Sequence, residues 1–132
     1  MYGMVNKAVR GFVLKNFDAA TWTRIHEAAG VDSDFVSMQA YDDDVTYNLV
    51  AAAHAELGLE VPDILHGFGQ FWVSDVALTS YADLMSKTGT SFVDFVQNLD
   101  HLHERIRVTF PDYQPPSFRV KTVTEDRLQV DY

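Results

Sequence analysis

The chain contains no cysteine. Disulfides, thiolate nucleophiles and zinc sites built on Cys are thereby excluded. Basic residues are few, 10 Lys and Arg against 19 Asp and Glu, for a net charge of −9. A surface that acidic repels phosphate backbones and anionic lipid, which argues against nucleic-acid or membrane-surface binding. No apolar run reaches membrane-spanning length, and the amino terminus lacks a basic segment leading into an apolar run and a small-residue cleavage site. A soluble, cytoplasmic protein is the expectation. The phosphate- and nucleophile-binding motifs GxGxxG, GxxxxGK[ST] and GxSxG are absent. Nothing in the spacing of Ser, His and Asp suggests a catalytic triad, and an acid–base enzyme has no constellation behind it.

What is present is a core. Of the 132 residues, 47% are hydrophobic and 13% aromatic, enough for one domain over 1–132 though not comfortably for two. There is no internal repeat and no low-complexity linker. The first part, to about residue 110, reads as helices punctuated by Gly, Pro and Asp. Val5, Ala8, Val9, Phe12 and Val13 give an apolar stripe at helical spacing. Asp18 is placed to cap a second helix carrying Trp22 and Ile25, which Gly30 ends in a left-handed turn. The acidic run Asp42-Asp43-Asp44 leads an Ala-rich helix closed by Gly58, where acidic groups favour the positive end of the helix dipole. That run lacks the Gly and terminal Glu of a calcium loop. Pro62 fits the first turn of the next helix, a short helix around Tyr81, Leu84 and Met85 follows, and a longer one runs from about Ser91 to Phe110. Pro111 stops it.

Beyond Pro111 the texture changes. Pro115-Pro116 forbids helix, and Phe118, Val120 and Thr122, then Leu128, Val130 and Tyr132, alternate with polar residues about the stretch 124–127. This is a hairpin signature, expected over about 117–132. The fold class is therefore α+β, mainly helical with a carboxy-terminal antiparallel hairpin. A lone hairpin is marginal in water and its edge invites further pairing, so the chain reads as cut in mid-sheet.

The segment richest in chemistry is SFVDFVQNLDHLHERIRVTF. Phe92, Val96, Leu99, His103, Ile106 and Phe110 follow at spacings of 4, 3, 4, 3 and 4, and His103 is the one polar member of that stripe. His101 projects about 200° away, so the HxH pair cannot chelate one metal from a regular helix. A lone inward imidazole has two readings. It can be a core histidine bonded to a backbone carbonyl, or the axial ligand of a haem, which needs one protein ligand in a dry, aromatic-rich pocket. A structural or hydrolytic metal needs three or four ligands. His26, His54 and His66 are isolated, with solvent-exposed roles expected.

The stretches MYGMVNKAV, YDDDVTYNLVAAA, ILHGFGQFW and NLDHLHERI, with PPSF beyond, resemble the haem nitric oxide/oxygen binding (H-NOX) family, which includes the haem domain of soluble guanylate cyclase. The resemblance runs in register from Met1 to Tyr132. It implies a helical part and an antiparallel sheet with a haem b between them, the chain being a truncated H-NOX-like fold. By the same matching the proximal iron ligand is His103, the proline pressing on the macrocycle is Pro116, and the distal wall includes Val5, Val9 and Trp72. Trp72 stands where oxygen-binding members tend to carry a hydrogen-bonding residue. Tyr132 matches the first residue of a Tyr-x-Ser-x-Arg propionate clamp whose Ser and Arg fall beyond the sequence, and Asp43 matches the acidic partner of that Arg. Without the Arg, haem retention is expected to weaken by a few kcal/mol.

The function implied is non-catalytic sensing of a diatomic gas, nitric oxide being preferred over oxygen, with oxygen or carbon monoxide as the alternative ligands. The signal would be a weakened iron–His103 bond, a shift of the helix carrying His103 and relaxation against Pro116. The implied partner is a cyclase, histidine kinase, cyclic-dinucleotide enzyme or chemotaxis receptor. A haem-free interaction module that pairs or self-associates through the hairpin edge is the alternative.

Overall fold

The computed structural model describes residues 1–124 and 127–132 and divides into two compact units, Met1–Val76 and Ala77–Tyr132. Among the described residues no helix is long and apolar enough to cross a membrane.

The first unit is helical. Helix α1 (Gly3–Asn16) buries Ala8, Val9, Phe12 and Val13 on one face, with Val5 half-buried beside them. Its start needs a glycine for room rather than for backbone freedom. A Cβ on Gly3 would lie 2.2 Å from the Val36 carbonyl oxygen, because the 36–41 loop closes over this turn and accepts the Gly3 N–H at Gln39. Asp18 caps α2 (Ala19–Ala29), its carboxylate accepting the Thr21 N–H at 2.7 Å, and Gly30 ends it at φ 67°. Asp43 and Asp44 occupy the first turn of α3 (Asp43–Leu57), which Gly58 closes at φ 63°. Pro62 lies in the first turn of α4 (Val61–Phe71). The core gathers Val13, Ile25 and Leu49, with Trp22 and Phe35, and Phe12 meets Phe68 and Phe71 edge-on. One polar pair lies inside it. Asn6, fully buried, accepts the Thr46 hydroxyl at 2.6 Å.

A π-helical stretch, Trp72–Ala77, follows α4 directly. The sequence shows no sign of it, because a single wide turn leaves the apolar spacing almost unchanged.

The second unit holds α5 (Leu78–Ser80), α6 (Ala82–Ser86), α7 (Phe92–Gln97), α8 (Leu99–Thr109) and the strands β1 (Arg119–Val123) and β2 (Leu128–Asp131). Ser91 caps α7 by accepting the Asp94 N–H, while Asp94 reaches back to the Thr90 N–H, a reciprocal pair that fixes the helix start. The single helix expected over 91–110 is broken. Asn98 leaves helical geometry (φ −94°, ψ 1°), and its side chain donates to the Asp94 carbonyl, so α7 ends there and α8 begins afresh. A stripe counted along one straight helix therefore does not stay on one buried face. Phe92 is 73% exposed, Val96, Leu99, Ile106 and Phe110 are half-buried, and Leu102 is the buried residue of α8.

The hairpin forms as expected. The strands pair antiparallel, Val120 opposite Val130 and Val123 opposite Leu128. A bulge between Val120 and Thr122 interrupts the alternation, which leaves Thr122 exposed. Glu125 and Asp126, in the stretch expected to join the strands, lie outside the described residues. The architecture is α+β, mostly helical with a two-stranded antiparallel sheet.

Candidate functional site

In the second unit the predicted residues His103, Pro116 and Tyr132 come together through Phe118. His103 is half-buried on α8, and its Nδ1 lies 3.3 Å from the Pro116 carbonyl oxygen. A carbonyl can only accept, so Nδ1 is the donor in this contact, and in a neutral imidazole the lone pair then sits on Nε2. Among the described residues Nε2 has no hydrogen-bond partner. The rings of Tyr113 and Phe118 flank the imidazole at centroid distances of 6.0 and 5.8 Å, and Tyr132 lies 5.4 Å beyond Phe118. Burial pushes the Tyr113 hydroxyl above its ordinary pKa.

What holds Pro116 in place is Asp100, one turn before His103. Its Oδ1 accepts the Phe118 N–H at 2.7 Å, and its Oδ2 accepts the Ser117 hydroxyl at 3.0 Å. The Phe118 N–H, then the Ser117 hydroxyl and the nearby Arg119 guanidinium, hold the Asp100 carboxyl below its ordinary pKa. Asp100 was missed in the sequence. The available signal was its i−3 position relative to His103, which puts it on the same side of the helix.

In the first unit, Val5 and Val9 line a cavity of about 60 Å³ together with Ile64, Leu65 and Phe68. Thr46 also lines it, with its hydroxyl committed to Asn6. Trp72 packs its ring 6.2 Å from Phe68 and opens the π-helical stretch, a local geometry found often at functional sites. Asp43 takes the terminal ammonium of Met1 at 2.6 Å.

The remaining histidines divide. His54 and His66 are exposed, as expected. His26 is not. It is half-buried against the Trp22 ring with Nδ1 on the Val31 carbonyl, because Gly30 turns the chain back over the end of α2. Among the described residues no three His, Asp or Glu side chains cluster as metal ligands.

A family model described as "Haem-NO-binding" matches residues 2–132. The chain belongs to that family. Its curated relatives include soluble guanylate cyclase gcy-33 of Caenorhabditis elegans, 30% identical over all of this chain and 14% of the relative. Soluble guanylate cyclase 89Db of Drosophila melanogaster is 26% identical over all of this chain and 20% of the relative. The chain thus spans a fifth or less of the cyclases it matches. Among solved structures, an H-NOX protein from S. oneidensis in the Fe(II)NO state superposes with a TM-score of 0.83 at 18% identity, over 98% of this chain and 72% of that one. A point mutant of the unliganded Fe(II) H-NOX protein from K. algicida gives 0.83 at 20% identity, over 98% and 71%. At such identities the likeness establishes the fold, and the fold is that of H-NOX domains.

The residues of this H-NOX chain suit a haem. The imidazole on α8 bonds a backbone carbonyl through one nitrogen and has the other unpartnered among the described residues, an arrangement that metal-ligating histidines share. It is ringed by aromatic side chains that a macrocycle can pack against.

Proposed function

We propose that the chain is a haem-based gas-sensing domain in which His103 is the iron ligand and nitric oxide is the preferred gas. The observation that carries this is the His103 imidazole, bonded through Nδ1 to the Pro116 carbonyl with Nε2 left for a metal. When bound, haem b supplies an iron with an open coordination position for a diatomic gas.

The chain's own residues do the rest. The Pro116 carbonyl orients the imidazole and raises its basicity as a ligand. Pro116 and Phe118, held by Asp100, lie beside it with the Tyr132 ring beyond Phe118, and these residues would pack against a bound haem. By the family resemblance alone, Val5, Val9 and Trp72 are the candidates for lining the gas-binding side. Val5 and Val9 offer no hydrogen bond to a polarised ligand, which favours nitric oxide over oxygen. Because His103 and residues 116–118 are tied together, a change in pull on the imidazole moves the Pro116 loop as well. That coupled segment is the element a partner can read.

The domain is regulatory rather than catalytic, and it reports to a signalling enzyme or receptor. The names of the cyclase relatives make a guanylate cyclase the leading partner, ahead of a histidine kinase, cyclic-dinucleotide enzyme or chemotaxis receptor.

Reconstitution with haem tests the ligand. The parent protein is expected to give a strong Soret band, His103→Gly to lose or shift it, and added imidazole to restore it. If His103→Ala binds haem with the parent spectrum, His103 is not the ligand. A protein that stays colourless with added haem yet self-associates would support the interaction-module alternative instead.

A further inference from the structure

Asp100 and His103 grip the same short piece of chain from adjacent turns of α8. Asp100 takes the Phe118 N–H and the Ser117 hydroxyl, and His103 donates to the Pro116 carbonyl. Three consecutive residues, 116–118, are thus fixed to one helix at three points. The Asp100 contacts are the shorter ones, at 2.7 and 3.0 Å against 3.3 Å for the His103 contact. Charge-assisted bonds of this kind are about twice as strong as neutral ones.

We propose that Asp100 is a positioning residue that sets the tautomer and rotation of His103 by holding the Pro116 carbonyl opposite Nδ1. The proposal rests on His103 being the iron ligand, but its geometric part concerns the protein alone. A free imidazole in water exchanges its proton between the two nitrogens, and a fixed acceptor opposite one of them selects that one. Pro116 has no backbone N–H to anchor itself, and its neighbour Pro115 has none either. The loop therefore depends on the first N–H groups after the prolines, at Ser117 and Phe118, and on the Ser117 hydroxyl. Asp100 takes two of those three donors.

The carboxylate thus acts on the iron site through the loop, touching neither iron nor gas. Removing it is expected to free the Pro116 carbonyl, weaken the Nδ1–H bond and leave the imidazole a poorer and less directed ligand. Loss of such an outer contact typically lowers metal affinity by about 10–100-fold.

The test uses the whole chain with Asp100→Ala, Asp100→Asn and Ser117→Ala, and with Glu104→Ala as a control. Glu104 is exposed, adjacent to His103 in sequence, and paired with Arg107. In the haem-free protein, nitrogen NMR of His103 is expected to show the Nδ1–H tautomer in the parent and in Glu104→Ala. Asp100→Ala is expected to show a mixture. Asp100→Asn can keep a neutral version of both contacts and should fall between, which keeps the test alive if Asp100→Ala does not fold. In the ferrous haem-loaded protein, the iron–histidine stretching band is expected to move to lower frequency in Asp100→Ala. Haem release is expected to be about 10–100-fold faster. An unchanged tautomer and an unchanged stretching band in both Asp100 variants would overturn the proposal. Absence of an iron–histidine band from the parent itself would instead defeat the haem reading, and the NMR result would still decide whether Asp100 orients His103.

Discussion

Replacing Thr46 by Val tests the polar pair inside the first unit. Asn6 is fully buried and Thr46 is 7% exposed, and the Thr46 hydroxyl donates to Asn6 Oδ1 at 2.6 Å. Among the described residues the Asn6 amide nitrogen has no partner, so this bond is the side chain's whole satisfaction. Valine keeps the shape of threonine and removes the donor, which leaves a carbonyl oxygen dry and unpaired. The cost of such an orphan is about 1–3 kcal/mol. With a urea m-value of about 1–3 kcal/mol/M, a cost near 2 kcal/mol moves the unfolding midpoint down by roughly 1 M. The double variant Asn6→Leu/Thr46→Val removes both partners and should recover most of that loss, since apolar replacement of a whole hydrogen-bonded pair can be nearly neutral. Urea denaturation at neutral pH, followed by circular dichroism on the parent, both single variants and the double variant, closes the cycle. The reasoning is refuted if Thr46→Val stays within about 0.5 kcal/mol of the parent, or if the double variant is as unstable as the sum of the singles.

Other expectations concern helix ends and pH. Ser91→Ala removes the cap of α7 and should cost about 0.5–2 kcal/mol, read as a lowered thermal midpoint, with the loss confined to variants lacking a Ser, Thr, Asp or Asn cap. The carboxyls of Asp18, held by the Thr21 N–H, and Asp94, held by the Thr90 N–H, lie below their ordinary pKa in the folded chain. A lowered folded pKa adds stability that is fully present above the unfolded value of about 3.9 and is lost as pH falls through the folded value. Stability should therefore drop below about pH 4, and Asp18→Asn should flatten that drop in acid titrations of the melting temperature.

Much of the fold was legible because its signals are local. Asp18, Gly30, Gly58 and Pro62 each mark a helix end by their own chemistry, and each stands where that chemistry predicts. The hairpin was legible from alternation. The break at Asn98 was not, because an amide that caps its own helix by bonding back to Asp94 leaves the apolar spacing of 92–110 intact. The π-helical stretch at Trp72 escaped for a similar reason. At the site, His103 stood out as the polar member of an apolar stripe, although that stripe is only half-buried. The tie between His103 and Pro116, 13 residues apart, depends on a loop held by Asp100, and no local pattern records that contact.

The most direct test of the central claim is the absorption spectrum of the ferrous, haem-loaded protein before and after nitric oxide. The account predicts a five-coordinate, histidine-ligated spectrum that nitric oxide converts to a new form, with oxygen producing no stable complex. A spectrum indifferent to nitric oxide, or one identical in His103→Ala, would contradict it.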